Sequence, residues 1–364
     1  MVVVPGARAP RRGVGWSDRL WPGFLALLLG CVACVGCGPL GSSSRARDFD
    51  SRVQGEYESA GTSLAAQVIA LGDGAFDLVL LRDGLPGRGP APQRQPRRRI
   101  GGQRRGQRVV FHGEDFEAVG DGESLRGTLG RGEVFAMRRV QRESPTLLAM
   151  PPAGATVLFD GETQGFTGQV DENGFLEAGA TSLRRFRDFF LHVEFRTPFM
   201  PRARGQGRGN SGVYLQGRYE IQILDSFGLA GEWNECGGVY EVARPRLNMS
   251  FPPLAWQTYD IDFRAARFGL DGKRVEPARV SVRHNGVAIH RDRALFGPTG
   301  QGAPETPDAG ALFLQDHWNP VVFRNLWIVE PAADATGPSS SLSEPSEGPK
   351  RALPASGRVV FAPT

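Results

Sequence analysis

Residues 210–226 read NSGVYLQGRYEIQILDS, and the fold follows from how this stretch turns back on itself. A three-residue loop at Gln216-Gly217-Arg218 pairs Leu215 with Tyr219 and Val213 with Ile221. The apolar residues then share one face, and Tyr214 stands opposite Glu220, with Gln222 further along the polar face. A two-residue turn would set Leu215 beside Glu220, so the longer loop is expected. The segment is thus a hairpin of half-buried antiparallel strands.

The same alternation recurs outward from it. Phe189, Leu191, Val193 and Phe195 alternate with His192, Glu194 and Arg196, and 256–263 behaves likewise. Residues 279–283 and 287–290 flank Asn285-Gly286, which suits a type I′ hairpin turn. No convincing helix interrupts 156–330, so one β-sandwich or jelly roll is expected there. Upstream, Gly72-Asp73-Gly74 and Gly120-Asp121-Gly122 signal further hairpins, with strands at 67–70, 76–81, 108–112 and 133–140. The chain therefore divides into a leader region (1–37), a tether (38–51), a small accessory β-domain (52–141), a linker (142–154), the jelly roll (155–331) and a disordered tail (332–364). The accessory domain holds no concentration of catalytic residue types and reads as a spacer.

Composition agrees. The 364 residues include 49 Gly and 27 Pro, which argues against coiled coils and an all-α fold, while 40% hydrophobic content supports a sizeable core. No apolar run reaches the ~18 residues of a spanning helix. Only Lys273 and Lys350 are lysines. Seven arginines lie in 94–108; without them the net charge of +4 becomes −3, so the chain is not a nucleic-acid binder. That arginine run reads as a solvated loop.

Basic residues at 8–12 precede the apolar run 24–36, FLALLLGCVACVG, in the order of a secretory signal peptide. Leu28-Leu29-Gly30-Cys31 resembles a bacterial lipobox, so Cys31 is the expected lipidation site, with Cys34 and Cys37 as alternatives. The protein is then exported and lipid-anchored to a bacterial membrane, in the periplasm or cell envelope. Beyond the leader only Cys236 remains, so no internal disulfide forms there.

The residues for chemistry lie in two stretches. Glu220, Gln222 and Asp225 form an ExQxxD pattern like the carboxylate strand of retaining jelly-roll glucanases. Five residues of strand span roughly 16 Å, however, and an odd offset points to opposite faces, so only a bulge near Leu224 would turn Asp225 inward. In 314–325, LQDHWNPVVFRN, Gln315 and His317 share a face if the strand continues, and Arg324 can polarise a carbonyl. His192 and Glu194 could line the cleft, although exposure is the simpler expectation. Trp233, Trp256 and Trp318 are stacking candidates for sugar, Trp256 more simply a packing residue. Gly207 to Gly212 formally fits GxGxxG but precedes a strand, which removes the dinucleotide reading. Asn248-Met249-Ser250 fits a glycosylation sequon. No spacing implies a metal site, and no cofactor is expected.

In order along the chain stand LFDG (158–161), EFR (194–196), NSG (210–212), YEIQILDS (219–226), NG (285–286), LQDH (314–317) and FRN (323–325). Together they resemble the bacterial 3-keto-disaccharide hydrolase domain family over about 155–330. The resemblance implies a concanavalin A-like jelly-roll sandwich, all-β, and action on sugars oxidised at C3. A 3-keto group acidifies the C2 proton; a base removes it, the C1 oxygen leaves, and water adds. The resemblance points to His317 or Glu220 as base, Arg324 as enolate stabiliser and Asp225 as acid. Asn210, Tyr214, Gln222 and Gln315 would contact substrate. A divalent metal is a second way to supply the electrophile. The competing readings are a non-catalytic carbohydrate-binding module and a structural envelope protein.

Overall fold

A computed structural model describes residues 49–88 and 98–331. The leader with Cys31, the tether up to residue 48, part of the arginine run and the tail from 332 lie outside the described residues. The described chain is built almost wholly of antiparallel strands.

A helical turn at 49–53 leads into a closed eight-stranded barrel. Its strands are β1 (Gly55–Ser59), β2 (Ala65–Gly72), β3 (Ala75–Leu81), β4 (Arg98–Arg105), β5 (Arg108–Gly113), β6 (Phe116–Gly120), β7 (Ser124–Leu129) and β8 (Glu133–Val140). Each pairs with the next, and β8 closes on β1 with Glu56 opposite Val140. Side chains fill the interior, among them Tyr57, Phe76, Leu78, Phe111, Phe116 and Met137. The arginine run corrects the loop expectation, because its second half is strand β4. A Cβ on Gly102 would collide with the Phe111 ring, 2.4 Å from two of its carbons, so the glycine makes room for the large aromatic across the ladder. The arginines and glycines that looked like loop chemistry are a barrel wall with a small residue facing a large one.

The remaining strands form two larger sheets around one core. The larger runs in the order β10 (Leu176–Glu177), β21 (Val322–Val329), β12 (Phe189–Arg196), β15 (Trp256–Arg264), β18 (Ala278–His284), β19 (Val287–Leu295), with β9 (Thr156–Phe159) also on β21. The smaller runs β11 (Ala180–Phe186), β20 (Gly310–Leu314), β13 (Ser211–Leu215), β14 (Tyr219–Ile223). Strands β16 (Arg267–Phe268) and β17 (Arg274–Glu276) form a separate ribbon. Val193, Phe195, Tyr259 and Phe263 from the first sheet pack with Val213, Leu215, Tyr219 and Ile221 from the second. The Tyr219 and Phe263 rings meet across the layers at 5.6 Å. This is the arrangement of a β-sandwich.

The expected registers appear where turn chemistry specified them. Leu215 pairs with Tyr219, Val213 with Ile221 and Tyr214 with Glu220. Asn285 and Gly286 both take positive φ (50° and 79°), as a type I′ turn requires.

Barrel and sandwich touch through β2 and β3, which are apolar on both faces. Ile69 and Val79 point out of the barrel onto Phe227, while Ala70 and Leu78 point in. Burial on both sides explains their nearly continuous apolar sequence.

Candidate functional site

The polar face of the β13–β14 hairpin carries the candidate site. Because Val213, Leu215, Ile221 and Ile223 go into the core, alternation turns Tyr214, Glu220 and Gln222 to the other side. The Tyr214 hydroxyl donates to Glu220 Oε2 at 2.8 Å. Glu220 is 2% exposed. Burial pushes its carboxyl up to about 7; the Tyr214 bond opposes this, and the nearby Glu241 charge adds to it. A carboxyl of that pKa can hold or release a proton near neutrality.

The wall around it is polar and interlocked. Gln222 Nε2 donates to Gln206 Oε1 at 3.0 Å, and Asn210 Nδ2 donates to the Gln206 carbonyl at 2.7 Å. Gln315 Nε2 reaches the Tyr214 hydroxyl at 3.5 Å. Among the described residues, Asn210 Oδ1 and Gln315 Oε1 are buried with no hydrogen-bond partner. Such acceptors are costly unless a ligand or water satisfies them. Thr299 Oγ1 accepts the Glu220 backbone N–H at 2.8 Å, and Gly300 packs on Glu220, Tyr214 and Tyr240. Trp233 stands edge-on to Tyr240 and is partly exposed.

Gly212 lies beneath the carboxylate. A Cβ there would collide with Glu220 Oε1. Gly212→Ala is therefore expected to displace the carboxylate and lower kcat on the order of 100-fold with little loss of fold. Steady-state kinetics beside a circular dichroism melt checks this.

Five sequence candidates thus come together: Glu220, Tyr214, Gln222, Asn210 and Gln315. His317 follows Gln315 just beyond β20; its carbonyl accepts from Asn319 Nδ2 at 3.0 Å, while Asn319 Oδ1 accepts the Asn210 N–H at 2.9 Å. Two other candidates go elsewhere. The alternation breaks after Ile223, since Leu224 also enters the core. Asp225 is thereby carried to Arg208, whose Nε donates to it at 2.7 Å. Burial raises the Asp225 carboxyl and Arg208 pulls it back. Arg208 also reaches the Ala70 carbonyl of the barrel at 3.3 Å. Asp225 therefore braces the hairpin end and the barrel contact.

Arg324 lies on the outward face of the larger sheet, on the opposite side of the sandwich from Glu220. Its Nε donates to Glu194 Oε2 at 2.7 Å, and its guanidinium covers Trp256 at 4.0 Å. His192 and Glu194 are on that face too, both fully buried rather than exposed or lining a cleft. The segment read as a linker covers them: Leu148 N–H donates to Glu194, and Thr146 Oγ1 donates to Asp260 at 2.7 Å. Asp260 in turn meets His192 Nδ1 at 2.6 Å. Burial lowers the pKa of His192, but Asp260 and Glu194 outweigh it and carry it up to about 9. Trp256 packs among Arg196, Arg324 and Phe175.

Asn248 is buried, and its amide donates to the Ser226 and Leu229 carbonyls, so the sequon does not present an acceptor side chain. Ser211–Leu215 follows the Gly-rich run as a strand, not a helix. Among the described residues, no group of three or more His, Cys, Asp or Glu is placed to hold a metal ion. Sequence reasoning missed Gln206, Tyr240, Glu241 and the 299–301 loop. The signal for Gln206 was the Gly-rich run itself, whose tight 3₁₀ turn at Gly205–Gly207 positions its side chain.

Residues 154–329 match the family described as 3-keto-alpha-glucoside-1,2-lyase-like domain. Two solved structures from Parabacteroides distasonis ATCC 8503, each named "putative glycosyl hydrolase", are similar. One is 30% identical with a TM-score of 0.45, over 49% of this chain and 84% of that one. The other is 19% identical with a TM-score of 0.37, over 52% of this chain and 97% of that one. No curated protein matches the chain. Residues 154–329 are a 3-keto-alpha-glucoside-1,2-lyase-like domain, preceded in the chain by an eight-stranded barrel.

Proposed function

We propose that the protein cleaves 3-keto-disaccharides or related oxidised glycosides, with Glu220 as the base at C2, on a concanavalin A-like jelly roll. The observation that carries this reading is a buried carboxyl with a pKa of about 7, set beside two unsatisfied amide acceptors in a domain of this family. Ionised Glu220 takes the C2 proton, and the electron pair delocalises onto the C3 oxygen as an enolate. The enolate then expels the C1 oxygen, leaving a C1=C2 bond, and the departing oxygen takes up a proton. Addition of water, hydroxyl to C1 and proton to C2, completes a net hydrolysis. Tyr214 orients Glu220 through Oε2, and Asn210, Gln222 and Gln315 bind sugar hydroxyls. His317, partly exposed in the segment that follows β20, is the proposed acid for the leaving oxygen, although β20 ends at Leu314 and strand alternation does not carry His317 onto the face of Gln315. Arg324 and Asp225 stay in the framework, each committed to an ion pair. Substrate contact with Glu220 requires the 299–301 loop to yield, since Gly300 covers it.

The leader is the basis for export and a lipid anchor at Cys31, and the barrel is an accessory module that braces the 202–208 segment: Arg202 pairs with Asp73, and Arg204 donates to the Leu71 carbonyl at 2.8 Å. The cover over Glu220 favours a second reading, a non-catalytic carbohydrate-binding envelope lipoprotein. Incubation with a 3-keto-disaccharide and with its unoxidised parent, with and without chelator, separates the two by product mass. Cleavage of the keto sugar alone is expected. Cleavage of both indicates an ordinary glycosidase, and binding without cleavage indicates the binding module. Loss with chelator would assign a metal to the electrophile's role.

A further inference from the structure

A cavity of about 670 Å³ opens at the end of the sandwich where β12 and β20 end and β21 begins, and Glu220 does not line it. Its volume lies in the range of small-molecule sites. One wall is Trp318, 87% exposed and held at a φ of +55°, a left-handed backbone rare for a bulky side chain. The Asp316 carboxylate fixes that conformation by accepting the Trp318 N–H at 2.7 Å. A strained backbone that presents an uncovered indole is a feature found at binding sites.

Thr197 also lines the cavity. Its Oγ1 is buried and, among the described residues, has no hydrogen-bond partner. Arg196 rests against the edge-to-face pair of Phe175 and Trp256, 4.9 Å from each ring, so its guanidinium is preorganised. Asp171, Glu177 and Asp316 outnumber that cation, which disfavours an anionic ligand. A flat apolar face together with hydroxyl, amide and carboxylate groups suits a neutral, polyhydroxylated ring.

The cavity begins where the candidate site ends. The His317 ring meets Trp318 edge-on at 5.5 Å, and Asn319 joins the cavity wall to the Asn210 backbone. We infer that this cavity is a second sugar subsite, with Trp318 as its stacking platform, that holds the leaving-group ring of a two-ring substrate. The inference rests on the reaction proposed above for its substrate, and on the cavity itself for the binding.

Trp318→Gly tests it, because glycine suits the positive φ and the fold should survive, as a thermal melt verifies. The KM for a 3-keto-disaccharide is expected to rise at least ten-fold. That rise should exceed the rise for methyl 3-keto-glucoside at least five-fold, and Trp318→Phe should restore most of the affinity. Equal changes for the two substrates overturn the inference. Titration with the unoxidised disaccharide, followed by calorimetry, needs no turnover. Weaker binding by Trp318→Gly than by wild type supports the subsite even if no keto-glycoside is cleaved, a result that would remove only the proposed reaction. Equal affinity in this titration overturns the subsite.

Discussion

Glu220→Gln is expected to lose about 10³-fold in kcat and, above pH 7, to be more stable than wild type. The amide keeps the shape and can still accept from Tyr214, so the polar wall stands; what is lost is a group able to take a proton. The stability change follows from the raised carboxyl. In the folded protein Glu220 titrates at about 7, against 4.5 for the ordinary group. Between these values the native state binds more protons than the unfolded chain, so stability falls as pH rises through this window. Above pH 7 the folded protein carries the full cost of a buried charge, on the order of 3 kcal/mol for a carboxyl moved from 4.5 to about 7. Glutamine removes it. Denaturant melts at pH 5 and pH 8 should therefore nearly coincide at the lower pH and separate at the higher. The wild-type rate should climb through about pH 7 on its acid limb. A variant that is inactive yet equally destabilised at both pH values would mean that Glu220 is a packing residue.

Arg324→Met is expected to cost about 3 to 5 kcal/mol in stability, because it takes from the fully buried Glu194 the guanidinium bonded to its Oε2 and leaves His192, 3.5 Å from Oε1, as its neighbouring cation. The buried row Arg324, Glu194, His192, Asp260 alternates in sign and is sealed by 144–149. Its pH dependence has two limbs. His192 is raised from 6.5 to about 9, so its contribution is complete below 6.5 and is lost as pH rises through 9, on the order of 3 kcal/mol. Glu194 is lowered from 4.5 despite its burial, because of His192, Arg324 and Asn325, so its contribution is present above 4.5 and is lost as pH falls. Chemical denaturation from pH 2 to pH 10 should show both limbs, and His192→Gln should flatten the alkaline one. Were Arg324 the enolate stabiliser instead, its substitution would remove turnover while leaving stability nearly intact.

These two sites also mark how far the sequence could be read. The 211–223 hairpin was legible because only a three-residue loop keeps Val213, Leu215, Tyr219 and Ile221 on one face. That register alone brought Tyr214 beside Glu220. The fate of β12 was not legible in the same way. Alternation put His192 and Glu194 on the face away from the core, but nothing local says what covers that face. The cover comes from a Pro-containing segment some 45 residues earlier in the chain, whose backbone bonds supply the missing partners. Asp225 was left open by the bulge argument; the break did occur at Leu224, yet a buried Arg208 receives the carboxylate. Arginine 208 had been hidden inside a glycine-rich run. Strand β4 was obscured for a related reason, because Gly102 looks like loop chemistry until Phe111 is placed across from it. Contacts between distant segments set these outcomes, whereas turn type and periodicity set the others.

The most direct test of Glu220 as a base at C2 is cleavage of a 3-keto-disaccharide in D₂O, with the product examined by mass and proton NMR. Removal of the C2 proton followed by hydration must leave one deuterium at C2 of the 3-keto sugar, and that signal is expected with wild type and not with Glu220→Gln. A cleaved product that keeps its original C2 hydrogen would contradict the mechanism and identify the reaction as direct displacement at C1.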